Sequence, residues 1–222
     1  MVDDALAPFD ALYRTSTDPW GTTTRWYEQR KRSLLLASLP RERYGTIYEA
    51  GCGTGHISSA LADRCDALLA SDGSATALAI ATRTLAGRDS VTTALHRLPQ
   101  EWPARSFDLL VLSEVLYFVD ATACRDVATS ARASAGATGT VLACDWRDAI
   151  EGHGHRGDEV HRRFEAALGL PRLFEYIDPD FVLTGWSVDT VSVATREGLR
   201  RCSFDTASTG SVWSCLRTTR NA

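Results

Sequence analysis

The stretch Glu49-Ala-Gly-Cys-Gly-Thr-Gly55 constrains this chain more than any other. It follows an apolar segment, Thr46 to Glu49, that reads as a buried strand, and it precedes His56 to Arg64, where apolar residues recur at helical spacing. Glycines at positions 51, 53 and 55 let the backbone turn tightly and approach a ligand that a Cβ would block. A strand, a glycine turn and a helix start in one stretch predict a parallel sheet with a ligand at its C-terminal edge.

The rest of the chain repeats that cadence. Ala67 to Ser71 reads as a second buried strand, stopped by Asp72-Gly73, and Ser74 caps an alanine-rich helix running to about Ala86. Val91 to Leu95 and Phe107 to Leu112 are further strands. A helix over Ala121 to Ala135 leads to the strand Thr140 to Asp145. Leu173 to Ile177 and Phe181 to Val188, joined by Asp178-Pro-Asp180, predict a hairpin at the sheet edge. The expected architecture is α/β: a doubly wound, mostly parallel seven-stranded sheet with a C-terminal antiparallel hairpin, in three α/β/α layers. Residues 1–25 read as a polar, turn-rich loop, because Asp18-Pro19 cannot sit inside a helix. Arg25 to Leu39 reads as a helix leading into the first strand. Residues 1–40 are then an N-terminal segment, 41–190 the core and 191–222 a partly ordered tail.

Composition narrows the partners. With 28 acidic and 24 basic residues in 222, the formal charge is −4, so no basic field draws the protein to nucleic acid or to anionic lipid. A small-molecule partner is expected, while the oligomeric state leaves no trace in the sequence. Lys31 is the sole lysine among those basic residues, an imbalance that reads as codon usage. Six scattered cysteines without a C-x-x-C spacing argue against structural zinc and fit reduced thiols in the cytoplasm. The acidic start Met1-Val-Asp-Asp lacks the charge of an export signal, and no apolar run approaches the roughly 18 residues of a membrane span.

Asp72 stands seventeen residues past Gly55, at the end of the second strand, where a carboxylate can accept hydrogen bonds from both hydroxyls of a ribose. A dinucleotide site would want G-x-G-x-x-G, whereas here the third glycine comes one residue early and Glu49 precedes the first. Beside a pyrophosphate that carboxylate would be repelled; near a cationic ligand it is tolerated. The E-x-G-x-G-x-G stretch with its following acid resembles motif I of the class I S-adenosylmethionine-dependent methyltransferases. Ser106 to Val119 looks like the fourth strand of that family, which puts Ser113, Glu114 and Tyr117 at the mouth of the sheet beside the donor. Leu95 to Pro103 takes the place where many members carry an acid for the adenine amino group; no Asp stands there, so Leu98 and Pro99 are left to contact the base through backbone and apolar surface.

The resemblance extends to about residue 190. Asp18-Pro-Trp20, Trp26-Tyr-Glu-x-x-Arg30, Leu98-Pro-Gln-Glu-Trp-Pro103, Leu112-Ser-Glu-Val-Leu-Tyr117 and Gly157-Asp-Glu-Val-His161 are together similar to the nodulation-protein-S-like (NodS-like) methyltransferases. This implies a Rossmann-like core, S-adenosylmethionine as donor with S-adenosylhomocysteine as product, and N-methylation. It implies donor contacts from Glu49, Gly51, Cys52, Gly53, Gly55, Asp72, Gly73 and Ser74, from Trp20 in an N-terminal segment folded over the donor, and from Arg30 near the donor carboxylate.

Methyl transfer from a sulfonium is an in-line displacement that needs mainly alignment and exclusion of water. An amine acceptor must also lose a proton, so a nearby carboxylate or histidine helps. Glu114, Asp145, His153, His155, Asp158 and His161 are the candidates, with Glu114 and His161 foremost and Tyr117 beside them. Residues 146–170 are expected to choose the acceptor: an aminosugar or another small amine, or alternatively a natural-product hydroxyl. A donor-binding protein without turnover is a further alternative, and no metal is expected.

Overall fold

The computed structural model describes residues 2–149 and 155–199, which fall in two units, Met1–Thr190 and Val191–Ala222. In the first, seven strands form one sheet in the order β3-β2-β1-β4-β5-β7-β6. They are β1 (Tyr44–Ala50), β2 (Cys65–Asp72), β3 (Val91–Leu95), β4 (Leu109–Ser113), β5 (Thr140–Trp146), β6 (Arg172–Ile177) and β7 (Phe181–Ser187). β1 to β5 run parallel, and β7 inserts antiparallel between β5 and β6. The chain works outward from β1 to β3, then returns to start β4 on the other side of β1. That reversal parts the loops after β1 and β4 and leaves a crevice at their C-terminal ends.

Burial on both faces explains the strand sequences. Every residue of β4, Leu-Leu-Val-Leu-Ser, is buried, as a parallel strand covered by helices on each side requires. On one face Leu110, Leu112 and Trp186 pack against α5 (Ala121–Ala135) and α6 (Gly157–Leu168) through Val127, Ala131 and Phe164. On the other, Ile47, Leu68 and Val111 meet α2 (Trp26–Ser38), α3 (His56–Ala62) and α4 (Ala75–Thr84) through Leu35, Leu61 and Ala81. Side chains cap the helices at their starts: Ser74 Oγ, the expected cap, accepts from Ala77 N at 3.1 Å, and Asp120 Oδ1 accepts from Thr122 N and Ala123 N at 2.8 and 2.9 Å. Cys52, Cys65, Cys124 and Cys144 are free, buried thiols, whereas Cys202 and Cys215 lie outside the described residues.

The N-terminus corrects the sequence reading. Residues expected to form a loop include a helix, α1 (Val2–Thr15), which contains Pro8 and ends before the Asp18-Pro19 turn. Leu6, Phe9 and Tyr13 fall at helical spacing that the turn-rich sequence after them obscured. From Ser16 to Arg25 the chain is a loop gathered around Asp18, whose carboxylate takes the amides and hydroxyls of Thr22 and Thr23 at 2.7 to 3.1 Å. Partial burial opposes ionisation there, but those four donors outweigh it and hold Asp18 at about 2.

The second unit holds a short helix, α7 (Val193–Arg196), capped by Ser192; the tail from residue 200 lies outside the described residues. Among the described residues no helix is long and apolar enough to cross a membrane.

Gly157 begins α6 directly on the end of β5: a Cβ there would overlap the Trp146 carbonyl oxygen and come within 3.1 Å of the Asp145 carbonyl. Backbone cannot step aside as a flexible side chain does. Gly157→Ala is therefore expected to cost about 1–3 kcal/mol of stability, read as a lowered midpoint in thermal or urea unfolding.

Candidate active site

The loop after β1 is shaped by its own backbone. Gly51, Gly53 and Gly55 all have positive φ, at 73°, 53° and 83°, and the loop closes through Cys52 N to Ser71 O at 2.8 Å and Gly55 N to Cys52 O at 2.9 Å. A Cβ at Gly51 would overlap Val115 Cγ2, so glycine here lets the loop after β1 nest against the turn after β4. Glu49, the penultimate residue of β1, is almost fully buried and accepts a hydrogen bond from the Ser58 hydroxyl of α3. Burial pushes its carboxyl up to about 8, with Ser58 opposing and the nearby Asp72 charge adding to the rise. Burial also keeps Cys52 a thiol.

Asp72 is oriented by that loop and by the next helix. Its Oδ2 accepts from Gly53 N and its Oδ1 from Ser74 N, both at 2.8 Å. Burial raises its carboxyl, and the Ser74, Gly53 and Gly73 amides pull it back toward ionisation. A carboxylate has about four lone-pair positions, so one remains for a ligand hydroxyl.

α1 lies across this shelf. Asp10 accepts a hydrogen bond from the Ser74 hydroxyl, the Phe9 and Phe118 rings meet edge to face at 4.6 Å, and the Tyr13 hydroxyl is 3.2 Å from where a Gly53 Cβ would stand. Trp20, half-exposed, donates from Nε1 to the Tyr13 hydroxyl at 3.4 Å. Burial pushes Tyr13 up to about 12, with the Trp20 bond opposing and Asp72 and Cys52 assisting. Asp10 and Tyr13 escaped the sequence reading because they lie in the helix it took for a loop. Leu98 packs with Phe118 and Val119 on the cluster formed by Leu112 and Tyr117. Arg30 stands elsewhere: its Nη2 donates to Asp178 Oδ2 at 2.6 Å and to the Tyr176 hydroxyl at 2.9 Å, clasping α2 to the β6–β7 hairpin.

The turn after β4 carries the second half of the site. Glu114 has φ +58°, the one positive φ outside glycine among the described residues. Its Oε1 takes Lys31 Nζ at 2.6 Å, and its Oε2 takes the Tyr117 hydroxyl at 2.7 Å and Trp146 N at 3.2 Å. Burial raises the Glu114 carboxyl while Lys31 opposes the rise. Tyr117 follows in a single 3-10 turn (Leu116–Phe118), its phenol pushed far up by burial and the Glu114 charge, so it acts as a donor and not a base.

His161 is corrected as a candidate base. It is 3% exposed, Nδ1 lies 2.9 Å from Thr184 Oγ1, and Nε2 lies 3.0 Å from the fully buried Asp145 Oδ2. Both ring nitrogens are engaged inside the core, out of reach of an acceptor. Asp145 Oδ1 accepts from Val115 N and Leu116 N, each at 3.1 Å, so this pair braces the turn that displays Glu114. Asp158 likewise faces Arg147, whose Nε lies 2.9 Å from Asp158 Oδ1. His153 lies outside the described residues.

The methyltransferase-domain family matches residues 48–134. A Pseudomonas syringae protein designated a methyltransferase, known from its crystal structure, is 41% identical, with 73% of this chain and 99% of that one covered at a TM-score of 0.66. The chain belongs to the class I S-adenosylmethionine-dependent methyltransferases. The N-methyltransferase NodS from Bradyrhizobium japonicum WM9, solved with S-adenosylhomocysteine, is 22% identical over 82% of this chain and 97% of that one, with a TM-score of 0.74. DhpI, also solved with S-adenosylhomocysteine, is 22% identical over 83% and 95%, with a TM-score of 0.68. At that identity both speak for the fold. No curated protein matches.

The residues of this methyltransferase fit the donor. The Gly53 shelf is free of any Cβ, Asp72 keeps a lone pair beside it, and Glu49, whose carboxyl burial holds up at about 8, is a group that a cationic ligand can draw into its ionised form. Asp72→Asn removes one acceptor and the charge; S-adenosylhomocysteine titrated by calorimetry should bind about tenfold more weakly, roughly 1.4 kcal/mol, and an unchanged affinity would place the ribose elsewhere. Below pH 8 the ligand-free protein holds a proton on Glu49, which a cationic donor must displace. Donor affinity should therefore rise about 25-fold from pH 6.5 to 8.5, and Glu49→Gln should flatten that dependence.

Proposed function

We propose that this methyltransferase moves its methyl group to the nitrogen of a small amine, such as an aminosugar or oligosaccharide amine. The carrying observation is the cluster at the turn after β4: Glu28 and Glu114 flank the single ammonium of Lys31 at 3.1 and 2.6 Å. One cation between two carboxylates leaves a net charge of −1, which attracts a second ammonium. NodS, alike in fold, is an N-methyltransferase, which supports the same reading.

The donor, when bound, supplies a methyl group on a cationic sulfur. Trp20, Glu49, Gly51, Cys52, Gly53, Gly55, Asp72, Gly73, Ser74, Leu98, Pro99 and Ser113 are proposed to hold it, with residues 1–40 folded over it and Tyr117 beneath. Gly51 and Val115 are in contact range, so this loop and the Glu114 turn face one crevice. An acceptor arriving as R–NH3+ gives one proton to the Glu114 carboxylate. Its freed lone pair then forms the N–C bond as the S–C bond breaks, S-adenosylhomocysteine departs uncharged at sulfur, and Glu114 releases its proton to water. Tyr117 and the Trp146 amide keep the carboxylate aimed through that cycle. Near-attack alignment and dryness supply most of the acceleration, and the proton acceptor about 10²–10⁴-fold more.

Labelled methyl transfer across a panel of aminosugars, alkylamines and hydroxylated natural products tests this. Label should appear on amines, with kcat/KM rising with pH, and Glu114→Gln should lower kcat/KM by about 10²-fold or more while S-adenosylhomocysteine affinity changes less than twofold. Label on hydroxyls alone would establish O-methylation. Donor binding with no transfer to any member would favour a binding role.

A further inference from the structure

Lys31 is the chain's one lysine among 24 basic residues. Its neighbours on α2 are arginines with outward partners: Arg30 reaches Asp178, and Arg32 Nη1 donates to Thr22 O at 3.1 Å. Only the inward position is lysine. There the side chain is 6% exposed, with its ammonium 2.6 Å from Glu114, 3.1 Å from Glu28 and 5.0 Å from the centre of the Tyr27 ring. A compact ammonium fits that three-sided seat, whereas the broader, five-donor guanidinium would leave donors unmatched. Codon usage accounts for the arginines; the seat accounts for the exception.

We propose that Lys31 is the positioning residue of the acceptor site: its buried ammonium, steadied by Glu28 and the Tyr27 ring, keeps Glu114 ionised and turned toward the acceptor. The groups packed around Glu114 make Lys31 the decisive one. α2 presents Lys31, Glu28 and Tyr27, the turn after β4 presents the Tyr117 hydroxyl, and β5 presents Asp145, Cys144 and the Trp146 amide. Lys31 is the one cation in that set. Burial and Asp145 push Glu114 toward its protonated form, and a protonated Glu114 cannot take the proton of an ammonium. The carboxylates in turn outweigh the burial of Lys31 and keep it charged. Lys31 is also chemically the same group as the proposed acceptor's R–NH3+, so the seat that holds it shows that this pocket can stabilise an ammonium away from bulk water.

The proposal rests on the amine reading for kinetics but not for spectroscopy, and the experiment uses both with the full chain. Lys31→Met, checked for folding by its thermal transition, should show at pH 7, in the difference spectrum against wild type, an infrared C=O stretch of a protonated carboxyl additional to the Glu49 band that both proteins share, and Lys31→Met/Glu114→Gln should lose that additional band. With an amine that wild type methylates, the acid limb of its kcat/KM profile should move up by about one pH unit, a loss of about tenfold at pH 7 that fades by pH 9, and Lys31→Arg should recover part of it. Should Lys31→Met not fold, Lys31→Gln, which keeps a donor without the charge, is read in the same way. No new carboxyl band, or a loss equal at every pH, overturns the proposal. If wild type methylates no amine yet the band appears, the amine reading fails and the charge-setting role of Lys31 stands.

Discussion

The Asp145 carboxylate is the interaction on which the rest of the site depends. It is fully buried, with one oxygen given to the amides of Val115 and Leu116 and the other to His161. A buried carboxylate without such partners is strongly disfavoured, so these bonds fix three elements against one another: the strand that carries Asp145, the turn after β4, and α6. His161 extends the chain to Thr184 on β7. The left-handed backbone at Glu114, unfavourable for a residue with a side chain, is held by amide bonds immediately after it. A conformation that would otherwise relax is thereby over-determined.

That turn meets the donor loop through Val115 and Gly51, where no Cβ fits. The two ends of the crevice are one packed object: a shift of the turn displaces the loop, and a side chain at Gly51 displaces the turn. Catalysis by alignment needs this stiffness, since an in-line displacement loses rate steeply when its partners drift by an ångström. The sheet provides the frame, because β1 and β4 pair along Ile47 to Ala50 and present both loops from neighbouring strand ends.

Much of this was legible in the sequence, and the losses have physical causes. Alternating apolar runs and glycine turns gave the seven strands and their order of appearance, and the glycine loop with Asp72 was legible as the turn between β1 and α3 and the end of β2, because each is a local signal carried by consecutive residues. Glu114 and Tyr117 were legible as the end of β4. α1 was hidden by Pro8 and by the Thr-rich turn that follows it, so Asp10 and Tyr13 were missed with it. His161 and Asp158, three apart on one helix, read as a shared face; the tertiary fold sends His161 into the core and Asp158 to Arg147. Lys31 read only as an exception of codon usage because its partner Glu114 is 83 positions away, and nothing local to the helix marks an ion pair of that separation.

Net charge is the coarser guide to such a protein, and the distribution of carboxylates the finer one. Glu49, Asp72 and Glu114 are all raised by burial, so in each the protonated form gains on the ionised one as the chain folds. Such groups lower stability as pH rises through the interval between their unfolded and folded values, because the unfolded chain then binds fewer protons than the folded one. A fold optimised for stability alone would not gather three of them along the C-terminal edge of one sheet, whereas a site for a cationic donor gains from it: a sulfonium supplies counter-charge that burial withheld. Lys31 supplies it permanently at Glu114, the position proposed to take the acceptor's proton, and in the same proposal Glu49 and Asp72 are left to be answered by the donor.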